Sequence, residues 1–427
     1  MHHHTAKTKG IEFNLEALRG ACAFFVVIFH VVLYQKYIDP HYFPRWMNAF
    51  NIPGHFCVLI FFVLSGYVIG ISNSGRLSAD KIIPYLKKRF IRIYPVYFVC
   101  LTAALLIAVP YTIKTIVANY TMMQGLLGAV VWENNPLWSL NYEIIYYLLF
   151  IPLSFFEIKP WVALVGAIAI GLINFLLFPT ISLPIISAYS YGFAFWATGW
   201  CLAVYFKNKE VAVSPQKLLS GIFLLASAPV NIVLAYPYRL VTQVFDNELL
   251  YPNTVYWAKN MVKFDDFTLM PYCFLLVVLF SGTRFRFKKQ LFSFLFILPA
   301  ISIALLIKGS SSIASLNDQR IPMLCYLISL VLYFIPNTLF NNLSRKIINL
   351  CFWLGSVSYG LYVIHFPVMI VFGKVTAFSG STVTFITRFL LLFLPACLAA
   401  AYVLEKKMQP LVGRKLRNVL LPSVAKR

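Results

Sequence analysis

Long apolar runs broken by short basic segments set the pattern of this chain. Twelve runs are read, at about residues 16–35, 55–73, 94–111, 138–157, 160–178, 188–206, 217–236, 267–282, 289–307, 321–340, 350–373 and 383–404. Each is close to the length a helix needs to cross roughly 30 Å of hydrocarbon. A span in lipid must satisfy its own backbone, and runs of this length do so as helices. The pattern predicts an all-α, polytopic membrane bundle of about 10–12 transmembrane helices. The split of 138–178 into two spans rests on the short break Glu157-Ile-Lys-Pro160.

Composition agrees with that reading. Hydrophobic residues make up 60% and charged residues 12%, with a mean hydropathy of +0.77. A soluble domain carries about twice that charge. The net charge of +22 would be compatible with nucleic acid, but its distribution has a better account in topology. With the N-terminus inside and the spans alternating, 26 of 36 Lys and Arg residues fall on inside segments and nine on outside loops, with Arg388 inside a span. That bias predicts both termini in the cytoplasm. The expected organisation is a cytoplasmic segment over 1–15, an integral membrane domain over 16–404 and a basic cytoplasmic tail over 405–427. Met1-His2-His3-His4 reads either as a residual tag or as native sequence, and no cleavable signal peptide is evident. The eight cysteines all fall in apolar segments without a CxxC pair or metal-ligand spacing, so neither a disulfide framework nor a metal site is expected.

Against this background the ionisable residues inside the spans stand out. Arg19 and His30 lie eleven positions apart in the first span, about 16 Å along a helix axis. Glu143 lies in the span that begins near 138, and His365 in the span over 350–373. Counted along their helices, His30, Glu143 and His365 sit at a similar depth, roughly 8–12 Å below the outer boundary. One such residue is often satisfied by a neighbouring helix. Three at one level point to a polar chamber. No partner for Arg388 is evident from the sequence.

The loop Asp80-Lys-Ile-Ile-Pro-Tyr-Leu-Lys-Lys-Arg-Phe-Ile-Arg-Ile-Tyr-Pro95 is expected to form a helix from about Pro84 that lies at the cytoplasmic interface and runs into the third span. Its spacing puts Arg89 and Arg92 on one face, with Lys88 beside Arg92. An ordinary lipid anchor has this composition. So does a phosphate-binding face, because each guanidinium can grip phosphate oxygens with two hydrogen bonds. Ser65-Gly66 is expected to permit close helix packing. The outside loop 237–266, with Tyr238, Asp246, Glu248, Tyr251, Tyr256, Trp257 and Asp265, suits either glycan stacking or an interfacial aromatic belt.

Five motifs occur in order: Leu18-Arg-Gly with His30, Phe61-Phe-Val-Leu-Ser-Gly-Tyr, Arg89-Phe-Ile-Arg92-Ile-Tyr-Pro, Trp138-Ser-Leu-Asn-Tyr-Glu143, and Ser358-Tyr-Gly-Leu-Tyr-Val-Ile-His365-Phe-Pro. Together they resemble the acyltransferase-3 family of integral membrane O-acyltransferases, in its stand-alone form without a fused hydrolase-like domain. The middle third, about 160–340, matches only in hydropathy. The resemblance implies transfer of an acyl group, commonly acetyl, from cytoplasmic acyl-CoA to a hydroxyl of an exported glycan such as O-antigen. It implies Arg19, Lys88, Arg89 and Arg92 at the CoA phosphates, His30 as general base or transient acyl carrier, and Glu143 orienting or charge-balancing it. His365 and Tyr359 would lie on the acceptor side. The implied partners are acyl-CoA, as donor substrate rather than a permanently bound cofactor, a glycan or glycolipid acceptor and membrane lipid, with no nucleic acid and no metal. The implied location is the bacterial inner membrane. The competing reading is a proton-coupled transporter or flippase of a glycan or lipid that uses the intramembrane His and Glu. Such a protein would usually show repeated, broken helices, and no internal repeat is evident. A purely structural or sensory membrane protein would leave the five motifs unexplained.

Overall fold

The computed structural model describes residues 2–73, 75–177, 184–206, 212–231, 261–283, 285–309, 317–336 and 339–420. In chain order its helices are α1 (His2–Leu33), α2 (Gly54–Ser72), α3 (Ala79–Ile107), α4 (Ile113–Tyr120), α5 (Trp138–Phe155), α6 (Pro160–Leu177) and α7 (Pro184–Tyr205). They continue with α8 (Pro215–Ala226), α9 (Met270–Ser281), α10 (Lys288–Gly309), α11 (Arg320–Phe334), α12 (Asn341–Gly355) and α13 (Ser358–Lys374). The last, α14, is a single rod over Thr382–Val419 with π-helical turns at Thr387–Phe393 and Val403–Met408. Among the described residues there is no strand, only one isolated bridge between Gln124 and Gly128. The chain is an all-α polytopic membrane protein. Six described stretches are by themselves long and apolar enough to span: Phe13–Leu33, Gly54–Ser72, Ala79–Ile107, Phe264–Ser281, Lys288–Gly309 and Thr382–Val419.

The structure changes several sequence boundaries. The basic segment runs into the third span as expected, but its helix begins at Ala79 rather than near Pro84. Ser78 precedes the first turn and Asp80 lies within it, and the helix then runs unbroken through Pro84 and Pro95 to Ile107. A carboxylate in the first turn complements the helix dipole. The run over 350–373 is two helices, one ending at Gly355 and the next starting at Ser358. Gly355-Ser-Val-Ser combines residues that favour helix ends over helix interiors. The run over 217–236 is helical only to Ala226, apart from a short 3-10 turn at Ala228–Val230. Its end, and most of the loop 237–266, lie outside the described residues.

The chain divides into two units. The first comprises 1–32, 44–74 and 159–355. Its packing relies on glycines where two backbones meet. A Cβ on Gly66 would stand 1.9 Å from the Trp196 carbonyl oxygen, and one on Gly199 would stand 1.9 Å from that of Val63. The small residues of α2 therefore seat it on α7, as Ser65-Gly66 predicts. A second such contact joins α1 to α12: a Cβ on Gly20 would meet the Cys351 carbonyl, and one on Gly355 that of Glu16, each at 1.9 Å.

The second unit comprises 33–43, 75–158 and 356–427. Around α13 it gathers α3, the segment 132–137 and α14. Arg388, on a π-helical turn of α14, is 3% exposed, and each of its three nitrogens donates to main-chain carbonyls. Its Nε donates to Ile38, Nη1 to Ala377 and Nη2 to Phe372 and Val375, at 2.5–2.8 Å. Asp39, fully buried, accepts from the Gly380 amide and the Thr384 hydroxyl. The intramembrane cation thus finds carbonyl dipoles, and it ties the loop after α1 to the turn between α13 and α14.

Candidate functional site

The basic face of α3 is one wall of a cleft of about 1030 Å³. Lys88, Arg89 and Arg92 line it together with Arg414 and Arg417 from the last turns of α14. Among the described residues no carboxylate lines the cleft. Gln409 closes its base, its Nε2 donating to the Ile91 and Arg92 carbonyls at 2.6 and 3.1 Å. Arg19, in the other unit, is held by an ion pair to Glu16, one turn earlier on α1.

Arg89 differs from the other cleft cations. It is half-buried, its Nε is sealed without a hydrogen-bond partner, and its guanidinium lies 5.8 Å over the Tyr85 ring and 5.7 Å over that of Tyr147. The Tyr147 hydroxyl donates to Glu143 Oε1, one helical turn back on α5. One aromatic ring therefore separates the cleft cation from the Glu143 carboxylate. Tyr359, expected toward the acceptor, donates its hydroxyl to the Ile93 carbonyl at 2.9 Å. What it does here is pin α3 beside Arg92. Glu405 on α14 accepts from the Gly360 amide at 2.9 Å.

The motif around Glu143 is mostly scaffolding. Asn141 donates to the carbonyl of Met122, which holds a positive φ of 57°, an uncommon conformation for a side-chain-bearing residue. Ser139 and the Tyr362 hydroxyl share a 2.7 Å hydrogen bond, and Tyr362 reaches the Pro136 carbonyl at 3.0 Å. The buried Asn134 donates to the Val363 carbonyl at 2.9 Å. Together these contacts clamp the segment 134–139 onto α13.

His365 is fully buried, its Nδ1 3.1 Å from the Leu361 carbonyl, with Tyr362 and Phe366 as ring neighbours. Next to it, Tyr34, Trp132 and Phe366 meet edge to face, with centroids 5.6–6.1 Å apart. Trp132 is 41% exposed, so this aromatic cluster reaches the surface. The Tyr111 hydroxyl accepts from the Trp132 amide and donates to Glu133 at 2.8 Å. Burial, with Glu133 adding to it, pushes the Tyr111 phenol up to about 12.

In the first unit, His30 is half-buried and repeats the device of His365. Its Nδ1 lies 2.9 Å from the Val26 carbonyl, and Phe29 stands edge-on to the ring. The carbonyl accepts from Nδ1, and in a neutral ring that leaves the lone pair on Nε2.

Sequence reasoning missed a further pair. His55 Nε2 lies 2.9 Å from Asp266 Oδ2, and the same oxygen accepts from the Lys263 amide at 2.8 Å. His55 stands in the first turn of α2, so the rule that drew attention to His30 applied to it as well. Its partner is 211 residues away, and no local spacing encodes that. Among the described residues no cluster of His, Cys, Asp or Glu is arranged to hold a metal.

The model of one family, described as an acyltransferase domain, matches residues 12–239. The chain belongs to the acyltransferase-3 family. Among curated proteins and among solved structures, nothing matches it. The matched stretch holds Arg19, His30, the α3 cations and Glu143, and membership makes the protein a membrane O-acyltransferase. His365, Tyr359 and the α14 wall of the cleft stand beyond the match.

Proposed function

We propose that the protein moves an acyl group, acetyl first, from cytoplasmic acyl-CoA to a hydroxyl of an exported glycan at a bacterial inner membrane. The observation that carries this reading is the cleft of Lys88, Arg89 and Arg92, cationic and with no carboxylate among its described lining residues, on the side that the charge bias assigns to the cytoplasm. Such a face suits the phosphates of a CoA thioester, and membership of the acyltransferase family supplies the reaction class.

The step needs a base and a place for charge. A glycan hydroxyl gives its proton to His30 Nε2 as its oxygen bonds to the acyl carbon. The C–S bond then breaks, and the CoA thiolate leaves and takes up a proton. If His30 instead carries the acyl group, the same bonds form and break in two stages. Glu143 is the carboxylate that balances charge during transfer, and its link to Arg89 through Tyr147 is the means by which donor occupancy would be felt there. The exposed Trp132 ring beside Tyr34 and Phe366 is a stacking surface suited to a sugar.

The test is purified protein in lipid with labelled acetyl-CoA and candidate exported glycans, wild type against His30→Ala. Transfer is expected only for wild type. Undiminished transfer by His30→Ala would remove His30 from the chemistry. A mass shift of one acetyl group on the His30 peptide, seen without acceptor, would identify the carrier route.

A further inference from the structure

The donor reading uses one wall of the cleft. The other wall, on the C-terminal turns of α14, lies beyond the family match and has no role in it. Arg414 and Arg417 are spaced i,i+3 like Arg89 and Arg92, and both pairs line the same cleft. Among the described residues, Lys88, Arg92, Arg414 and Arg417 have no ion-pair partner. Cations converging without a counter-charge repel one another unless an anion binds between them. The wall is also fixed in place, because Gln409 holds it to the Ile91 and Arg92 carbonyls.

The two walls differ in depth. Arg89 is half-buried and leads through Tyr147 to Glu143, whereas Arg414 and Arg417 are exposed at the rim. A volume of about 1030 Å³ exceeds what one phosphate needs and suits a nucleotide. The donor's own order of groups then assigns the walls. From the thioester, which must face the bilayer interior, an acyl-CoA presents pantetheine, then the diphosphate, then the ribose 3′-phosphate. The diphosphate therefore meets the deep arginine first, and the terminal monophosphate comes last, at the rim.

We propose that Arg414 and Arg417 bind the ribose 3′-phosphate of the donor, so that the C-terminal turns of α14 select CoA over its 3′-dephospho form. The assignment rests on the donor reading above. Like the α3 pair, each guanidinium offers a planar fork to a dianionic phosphate.

The test is binding of CoA and of 3′-dephospho-CoA to the full-length protein in nanodiscs of phosphatidylcholine alone, with a second set containing an anionic lipid. Wild type is expected to hold CoA at least about tenfold more tightly, the scale of a charge-assisted phosphate contact. Arg414→Ala with Arg417→Ala should lose that preference while binding of 3′-dephospho-CoA changes less than about twofold, which also shows that the variant is folded. Arg89→Ala should weaken both forms alike. Equal wild-type affinity for the two forms, or a preference that survives loss of both α14 arginines, overturns the inference and leaves the donor reading standing. No binding of either form by wild type removes the donor reading itself. If the α14 arginines change affinity only in anionic nanodiscs, their ligand is a lipid headgroup and the inference fails.

Discussion

The Arg89 guanidinium lies 5.7 Å over the ring of Tyr147. Because the hydroxyl of that ring donates to Glu143, one tyrosine touches both a cation of the cleft and the Glu143 carboxylate. Its face and its hydroxyl can be separated experimentally. Tyr147→Phe keeps the face under Arg89 and removes the donor to Glu143. The expected outcome is a roughly tenfold or greater fall in kcat with little change in KM for the thioester. Steady-state kinetics decide it: a rise in KM alone would mean that the tyrosine serves donor binding only.

Removing the deep cations should have the opposite signature. Arg89→Ala with Arg92→Ala is expected to weaken acyl-CoA binding by about 10–100-fold, the scale of losing charge-assisted hydrogen bonds to phosphate. Calorimetric titration with CoA measures this directly. Unchanged affinity would return the α3 cluster to the status of an anionic-lipid anchor.

Two glycines give a prediction about folding. Gly66→Ala puts a methyl 1.9 Å from the Trp196 carbonyl oxygen, and neither backbone can move without separating α2 from α7. A loss of roughly 1–3 kcal/mol is expected from such overpacking. Thermal unfolding in detergent should show a lowered midpoint, whereas Gly166→Ala, where nothing lies within 4 Å of the added methyl, should not lower it.

Arg388 makes a stronger case. Arg388→Lys keeps the charge but lacks the fork that serves four carbonyls. Leaving several buried carbonyls without donors costs roughly 3 kcal/mol or more. Faster proteolysis in the 34–43 and 375–381 loops is the expected readout, with transfer activity falling only as folded protein is lost.

Tyr111 supplies a pH prediction outside the spans. Burial holds its phenol at about 12, against an ordinary 10.0. The folded protein therefore binds that proton more tightly than the unfolded chain does. The hydrogen bond to Glu133 contributes in full below pH 10 and is lost as the pH rises through about 12. The ultraviolet phenolate titration of wild type minus Tyr111→Phe should be flat through neutrality and rise near 12. A midpoint near 10 would show the phenol to be solvated.

These tests rest on features of unequal legibility. Hydropathy alone carries the all-α class, because in lipid a run of twenty apolar residues has few alternatives. The α3 cations were legible as well, since 88, 89 and 92 share a helical face by spacing alone. So was Ser65-Gly66, because small residues mark close approach. The second wall of the cleft was not. Arg414 and Arg417 lie more than 300 positions after Arg92, in what reads as a basic tail, and only the packing of Gln409 on α3 brings them there. The partners of Arg388 are main-chain carbonyls, which carry no residue code to search for. Tyr359 and Asn141 sit in recognisable motifs, yet their hydrogen bonds go to backbone, so a motif that looks chemical proves partly architectural. His55 was legible as an intramembrane histidine, but its pairing with Asp266 depends on how α2 packs against the turn that precedes α9.

The two rods that bear the cleft share a property beyond charge. At 29 and 38 residues, α3 and α14 measure about 44 and 57 Å, well beyond the roughly 30 Å of hydrocarbon. Lys88, Arg89 and Arg92 lie in the first half of α3, and Arg414 and Arg417 in the last turns of α14. A rod too long for its bilayer answers a change in thickness by tilting, and the far end of a tilting rod travels furthest. The separation of the cation-bearing parts of α3 and α14 is therefore expected to follow membrane thickness.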